Sequence, residues 1–212
     1  MAIRISLYDF FAYTVPGVFY LLVVGFAAVV FGLLPADWSA FNDLSLTALI
    51  ILVGAGYVVG ILCTAVAQYW SRLFRSRKQS RIAFREFASE HPWLRVYFEP
   101  ADWDILLRLL KMSSEEAAAD IEHLNVLSIM MRNISFGFGI LAGVFVLYYF
   151  AVSAHAANLL FAVVAGVASV MTARSGATFS KWYFKAIFAA VAARGLDATK
   201  WVEDARTTIE VE

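Results

Sequence analysis

The chain has 212 residues, 61% of them hydrophobic and only 16% charged, with a mean hydropathy of +0.71. A soluble domain carries about a quarter charged residues, so this composition excludes an ordinary soluble domain and places the chain among membrane proteins. Lysine plus arginine and aspartate plus glutamate number 17 each, so bulk charge selects neither a nucleic acid nor an acidic partner, and the information lies in where the charges sit.

In chain order, Ser6 followed three residues later by Asp9 predicts a capping-box-like helix start. Tyr8, Phe10, Phe11 and Tyr13 suit an aromatic belt at a membrane interface. Pro16-Gly17 then predicts a break or bend, hence a short interfacial helix ahead of the first spanning segment. That segment, about 15–34, is longer than the apolar core of a secretory signal. Only Arg4 is basic before it, and no small-x-small pattern follows Leu34, so it reads as a retained span. Three further stretches, about 44–69, 134–154 and 157–173, are also apolar over the roughly 20 residues that cross a hydrocarbon core of about 30 Å. Cys63, the single cysteine, stands within the second; no intrachain disulfide can form, and the thiol reads as buried and inert.

Loops rich in lysine and arginine stay in the cytoplasm. The links 35–43 and 155–158 contain neither residue. Arg72, Arg75, Arg77, Lys78, Arg81 and Arg85 follow the second span, Arg132 precedes the third, and Arg174, Lys181 and Lys185 follow the fourth. The expected architecture is therefore all-α: an integral membrane four-helix bundle, multi-pass, with both termini inside and a cytoplasmic helical insert between the second and third spans. Its segments are 1–70, 71–133, 134–173 and 174–212.

Within the insert, the second span is expected to continue to about Glu90, where His91-Pro92 stops it because the residue before proline is driven out of the helical region. Pro100 suits the first turn of the next helix, in which Trp103, Leu106, Leu107 and Leu110 recur at helical spacing. Ser113 and Glu116 predict a capping box for a third helix, with Ala117, Ile121, Leu124 and Ser128 on one face. Beyond the fourth span Phe179, Trp182, Tyr183, Phe184, Ile187, Phe188 and Val191 predict a helix without a break until Gly195, with Asp197 capping a last short one. The aromatic segment is expected to pack on the insert, since its apolar residues occupy more than one face; the alternative is that it lies along the inner leaflet.

No Asp, Glu, Lys or Arg lies well inside a span, which argues against proton relays, voltage sensing and ion-coupled transport. A passive pore would have to use weak polar groups such as Thr47, Tyr57, Thr64, Gln68 or Ser135. Small residues recur four apart at Gly56 and Gly60, Gly139 and Gly143, and Ala162 and Gly166. Such pairs permit close helix approach, either within one bundle or between subunits.

Charge beyond the spans is polarised. Residues 71–85 carry six basic and no acidic side chains, whereas 86–128 carry nine acidic against Arg95, Arg108 and Lys111, a net −6. The basic collar of Arg72, Arg75, Arg77, Lys78 and Arg81 with Arg174, Lys181 and Lys185 suits anchoring against anionic lipid; the alternative is an anionic ligand such as a nucleotide. The acidic region repels nucleic acid, so no direct DNA or RNA partner is expected. His91, His123 and His155 are far apart, and no phosphate loop, zinc-protease helix or nucleophile elbow occurs. Glu116, Asp120 and His123 share a helix face without a second ligand-bearing helix, and Arg85 and His91 match the arginine-to-histidine spacing of certain helical ribonucleases only loosely. No catalytic residue, metal or cofactor is expected.

The run from Tyr8 to Gly17, YDFFAYTVPG, resembles the start of small bacterial four-span inner-membrane proteins in which an aspartate, aromatics and Pro-Gly precede the first span. The similarity extends to Arg132-Asn133 and to the aromatic, basic helix from Lys181. Some proteins of this kind are similar to membrane components of antiphage defence, which implies a sensor or a membrane-disrupting effector. The function expected from residues and resemblance together is a homo-oligomeric inner-membrane anchor, sensor or scaffold whose cytoplasmic insert binds a soluble partner. The alternative is a gated pore or permeabilising effector.

Overall fold

The computed structural model describes residues 7–35, 45–74, 79–93 and 98–195, with the side chains of 7–9 left aside. Among the described residues the chain is all-helical, with six helices and no strand: α1 (Leu7–Val30), α2 (Leu46–Arg72), α3 (Gln79–Glu90), α4 (Trp103–Ser113), α5 (Glu115–Ala151) and α6 (Ala156–Ala193). Four segments, Phe10–Val30, Leu46–Arg72, Glu115–Ala151 and Ala156–Ala193, are long and apolar enough to cross a membrane. The chain divides into two compact units, Met1–Arg75 with Ile129–Gly176, and Ser76–Ser128 with Ala177–Glu212. The expected cap at Ser6, the residues Arg75, Arg77 and Lys78 of the collar, Arg95 and the final cap at Asp197 lie outside the described residues.

In the first unit α1 runs straight through Pro16, correcting the expected break into an interfacial helix and a span. Proline removes the hydrogen bond that its own N–H would have made to the Ala12 carbonyl. Pro16 is fully buried, and tertiary packing offsets a proline's cost inside a helix. Tyr13, Thr14, Gly17 and Val18 of α1 pack against α2, which buries Gly56, Gly60, Ala67 and Ser71 and leaves most of its other apolar side chains exposed. α2 begins on Ser45, whose hydroxyl accepts from the Ala48 N–H at 3.2 Å.

The end of α2 also differs from expectation: it stops at Arg72 instead of continuing to Glu90. The chain tightens there, with Leu73 N–H donating to Trp70 O and Phe74 N–H to Ser71 O. The physical reason is legible in the sequence. A continuous helix would stack Arg72, Arg75, Lys78, Arg81 and Arg85 at three- and four-residue spacing, a ladder of like charges. The helix that follows, α3, ends at Glu90, immediately before His91-Pro92, as expected.

The second unit is built from α3, α4 and parts of α5 and α6. Its core comprises Ala83, Phe87, Phe98, Leu106, Leu110, Ala118, Ile121, Tyr183, Ile187, Phe188 and Val191. Phe188 sits at the centre, stacked on Phe98 at 5.7 Å and meeting Phe84 edge-on at 5.5 Å. Each fully buried large side chain contributes about 1.5–3 kcal/mol relative to exposure, so the aromatic segment of α6 packs against the insert.

Two helix ends shift from their expected places. Pro100 precedes α4 and occupies the second position of a turn closed by Asp102 N–H to Glu99 O at 3.1 Å, with the buried Asp102 carboxylate accepting from Glu99 N–H at 2.7 Å. Proline favours that turn position because its fixed φ matches it. The cap of α5 is Ser114, not Ser113: α4 extends through Ser113, Ser114 is extended (φ −161°, ψ 105°), and its hydroxyl accepts from Ala117 N–H at 3.3 Å. The buried face of α5 accordingly carries Ala118 with Ile121. Gly195 closes α6 at φ +57°, a conformation glycine adopts without penalty, and its N–H donates to Ala192 O.

Candidate functional site

Two groups of side chains stand out, one in each unit. In the first unit a set of uncharged polar groups ties the four long helices together. Tyr20 on α1 donates its hydroxyl to the backbone oxygen of Asn133 on α5 at 2.6 Å. The Asn133 amide donates to Thr64 Oγ1 on α2 at 3.2 Å, and Thr64 donates in turn to Gly60 O at 2.7 Å. Ser135 on α5 and Ser169 on α6 exchange hydroxyl-to-carbonyl bonds at 2.8 and 2.7 Å, and the Trp70 indole donates to Ser169 Oγ at 3.2 Å. Asn133 is 1% exposed, and its Oδ1 is buried with no hydrogen-bond partner among the described residues.

Of the weakly polar groups proposed from sequence to line a pore, Thr64 and Ser135 thus spend their hydroxyls on internal bonds. Tyr57 stacks on Phe10 at 5.4 Å. Thr47 and Gln68 are exposed on α2.

The small residues separate in the same way. A Cβ on Gly17 would fall on the Gly56 carbonyl, one on Gly60 would fall on the Tyr13 carbonyl, and one on Gly56 would meet Val18 Cγ2 at 2.5 Å. Gly56 and Gly60 therefore serve backbone contact between α1 and α2. A Cβ on Gly139 would meet the Trp70 ring at 2.6 Å, so its space is filled by that indole. Gly143 and Gly166 have nothing within 4 Å of a Cβ, and α6 instead buries Ala162, Ala165 and Ser169. Sequence reasoning missed Gly17, Tyr20, Asn133, Ser169 and the Trp70 indole. Gly17 was visible as a small residue, but its place after Pro16 suggested a break instead of a contact.

In the second unit the seam between α3 and α6 is ionic. Lys181 pairs with Glu86 at 2.9 Å, and Lys185 pairs with Glu90 at 2.6 Å and Glu86 at 3.6 Å. Both pairs of like residues are four apart, so they stand one turn above the other on their helices. The two lysines counted in the basic collar are thereby engaged within the chain. Arg81 and Arg85 lie on the opposite, exposed face of α3, and among the described residues neither has an ion-pair partner. In the first unit Arg72 lies over the Tyr69 ring at 4.7 Å, and Arg174 is exposed.

The hydrogen bond from Lys181 holds the Glu86 carboxyl below the ordinary carboxylate range, with the charge of both lysines adding to it. A depressed carboxyl contributes stability that is fully present above its unfolded value and is lost as pH falls through its folded value. The Glu86 contribution to the thermal stability of the full chain in detergent is therefore expected to be lost as pH falls below about 4, and Glu86→Gln is expected to remove that part of the acid dependence. An unchanged acid profile in the variant would show that the seam contributes nothing. The pairs are substantially exposed, so the effect at neutral pH is small.

The remaining sequence candidates do not converge. Glu116 and Asp120 are exposed, and among the described residues no group of three or more His, Cys, Asp or Glu side chains forms a metal-binding cluster. His91 is stacked on Phe87 with Nδ1 3.1 Å from the Phe87 carbonyl oxygen, whereas Arg85 is exposed. No known protein family, curated protein or solved structure matches the chain.

Proposed function

We propose that the chain is a multi-pass protein of a bacterial inner membrane, both termini in the cytoplasm, that acts as a homo-oligomeric anchor, sensor or scaffold for a soluble cytoplasmic partner. The observation that carries this reading is helix length. α5 and α6 have 37 and 38 residues, about 55 Å each at 1.5 Å per residue, whereas a hydrocarbon core is about 30 Å thick. Each helix therefore extends beyond any bilayer it crosses, and its projecting part belongs to a unit with its own apolar core. Asp104, Glu115, Glu116 and Asp120 are exposed in that unit, and Met112 is 70% exposed, a combination that suits a partner with a basic rim.

Crosslinking of the full chain in native membranes, followed by identification of what co-purifies, is expected to return a soluble cytoplasmic protein. Its yield should fall when Glu115, Glu116 and Asp120 are replaced by glutamine and asparagine. Recovery of the bare chain alone would remove the basis for a binding role. Orientation has its own check. Lys111, whose side chain is 47% exposed, is expected to escape an impermeant amine reagent in intact cells, and labelling there would invert the topology.

A pore or permeabilising effector, of the defence kind that the resemblance implies, is the second reading. It is favoured by the exposed stripe Thr47, Gly54, Ile61 and Gln68 at seven-residue spacing on α2, which only neighbouring copies would enclose. Dye and ion flux from proteoliposomes separates the two.

A further inference from the structure

The two acidic residues of α3, Glu86 and Glu90, both lie on the flank that meets Lys181 and Lys185 and are neutralised there. What remains on the outward face is Arg81, Ile82, Arg85 and Ser89, all exposed, followed past the helix end by Trp93 at 73% exposure. This face holds two cations, no anion and one β-branched aliphatic side chain between the cations, and the exposed Trp93 follows the helix end. A soluble polyanion would reward the arginines and leave Ile82 and Trp93 in water. A lipid leaflet rewards all of them, because anionic headgroups attract the arginines while aliphatic and indole groups settle at the acyl boundary.

Chain connectivity also places a leaflet within reach. Gln79 follows Arg72 by seven residues, which span at most about 25 Å fully extended, and α2 is the 27-residue helix with the highest mean hydropathy of the four. The start of α3 is thus tethered close to wherever α2 leaves a bilayer, which raises its effective concentration at that surface.

We propose that the outward face of α3, Arg81, Ile82, Arg85 and Ser89, is a peripheral docking surface for the anionic headgroups of a lipid leaflet. This rests on the reading that α2 crosses a membrane, and goes beyond it by dividing the basic residues into two roles. Lys181 and Lys185 are paired within the second unit, whereas Arg81 and Arg85 fasten its α3 face to lipid.

The test uses the full chain with Cys63→Ala and Ser89→Cys, labelled at residue 89 with an environment-sensitive fluorophore and placed in nanodiscs. One set of discs contains phosphatidylcholine alone and the other includes phosphatidylglycerol. Both leaflets of a disc have one composition, so insertion direction does not matter. The expected result is blue-shifted emission, quenched by spin-labelled lipid, in the anionic discs only. R81Q/R85Q should lower the docked-to-undocked ratio roughly 30-fold, from about a fivefold surface attraction per arginine acting twice, while R81K/R85K retains docking.

Emission identical in the two lipid compositions, or unchanged in R81Q/R85Q, overturns the proposal. So does a shift produced by soluble polyphosphate in phosphatidylcholine discs, which would make the occupant a soluble polyanion. Alkali-resistant flotation of the same labelled chain with liposomes reads membrane insertion separately. Loss of flotation sinks the underlying membrane reading, whereas flotation with an unresponsive label sinks only the docking surface. Unchanged thermal unfolding of the variants verifies that the second unit remains folded.

Discussion

Replacing Gly17 with alanine is expected to cost the α1–α2 pair about 3 kcal/mol, because the added methyl would occupy the position of the Gly56 carbonyl oxygen. The obstruction is backbone against backbone, so no rotamer change relieves it, and the helices must separate or slide. Gly60→Ala meets the Tyr13 carbonyl in the same way and should cost a similar amount. Gly143→Ala and Gly166→Ala are the comparison, since nothing lies within 4 Å of either added carbon. In a helix interior they should be neutral or stabilising by up to about 1 kcal/mol. Thermal unfolding of the four variants in one detergent measures the difference. Equal effects at all four positions would show that the crossing is not where close approach matters. A change of oligomeric state confined to Gly143→Ala or Gly166→Ala would assign those two to contact between subunits.

The second large effect is expected at Phe188. It is fully buried and touches the rings of Phe84, Phe87 and Phe98, so truncation to alanine removes a large apolar side chain and leaves a cavity, at about 3–5 kcal/mol. A unit of this size has little stability to spare. Phe188→Ala should therefore make α3 and α4 susceptible to limited proteolysis in the full chain, while leaving its recovery in the membrane fraction unchanged. Trp182, on the same helix but 47% exposed, should tolerate alanine within about 0.5 kcal/mol. Comparable protease sensitivity in the two variants would mean that the core does not hold the second unit together.

Much of this arrangement could be read locally. His91-Pro92 stopped a helix where expected, and Gly195 ended another, because both act through the backbone of one or two residues. Pro16 misled for an instructive reason. Its effect on an isolated helix is disruptive, but here it is fully buried, and the packing outweighs the missing hydrogen bond. The continuation of α2 to Glu90 failed because apolar length was weighed and the like-charge ladder that follows Arg72 was not. Ser113 and Ser114 are adjacent candidates for one cap, and only the extended backbone at Ser114 selects between them.

The candidate sites were far less legible. Lys181 and Lys185 look like members of a basic collar until Glu86 and Glu90, some 95 residues earlier, are found opposite them. The same neutralisation is what leaves Arg81 and Arg85 as a separate cationic face. Tyr20, Thr64, Asn133, Ser135 and Ser169 carry no motif, and only their meeting across four helices makes them a set.

By itself the order of residues determined the all-helical character, the four apolar stretches and the ends of α3 and α6, because hydropathy over 20 residues and the backbone demands of proline and glycine are properties of a segment alone. The tertiary structure decided which glycines touch, which lysines are neutralised, which polar groups are satisfied and which helix face remains for another surface. Each of those depends on what stands opposite, and a one-dimensional pattern does not specify its neighbour in space.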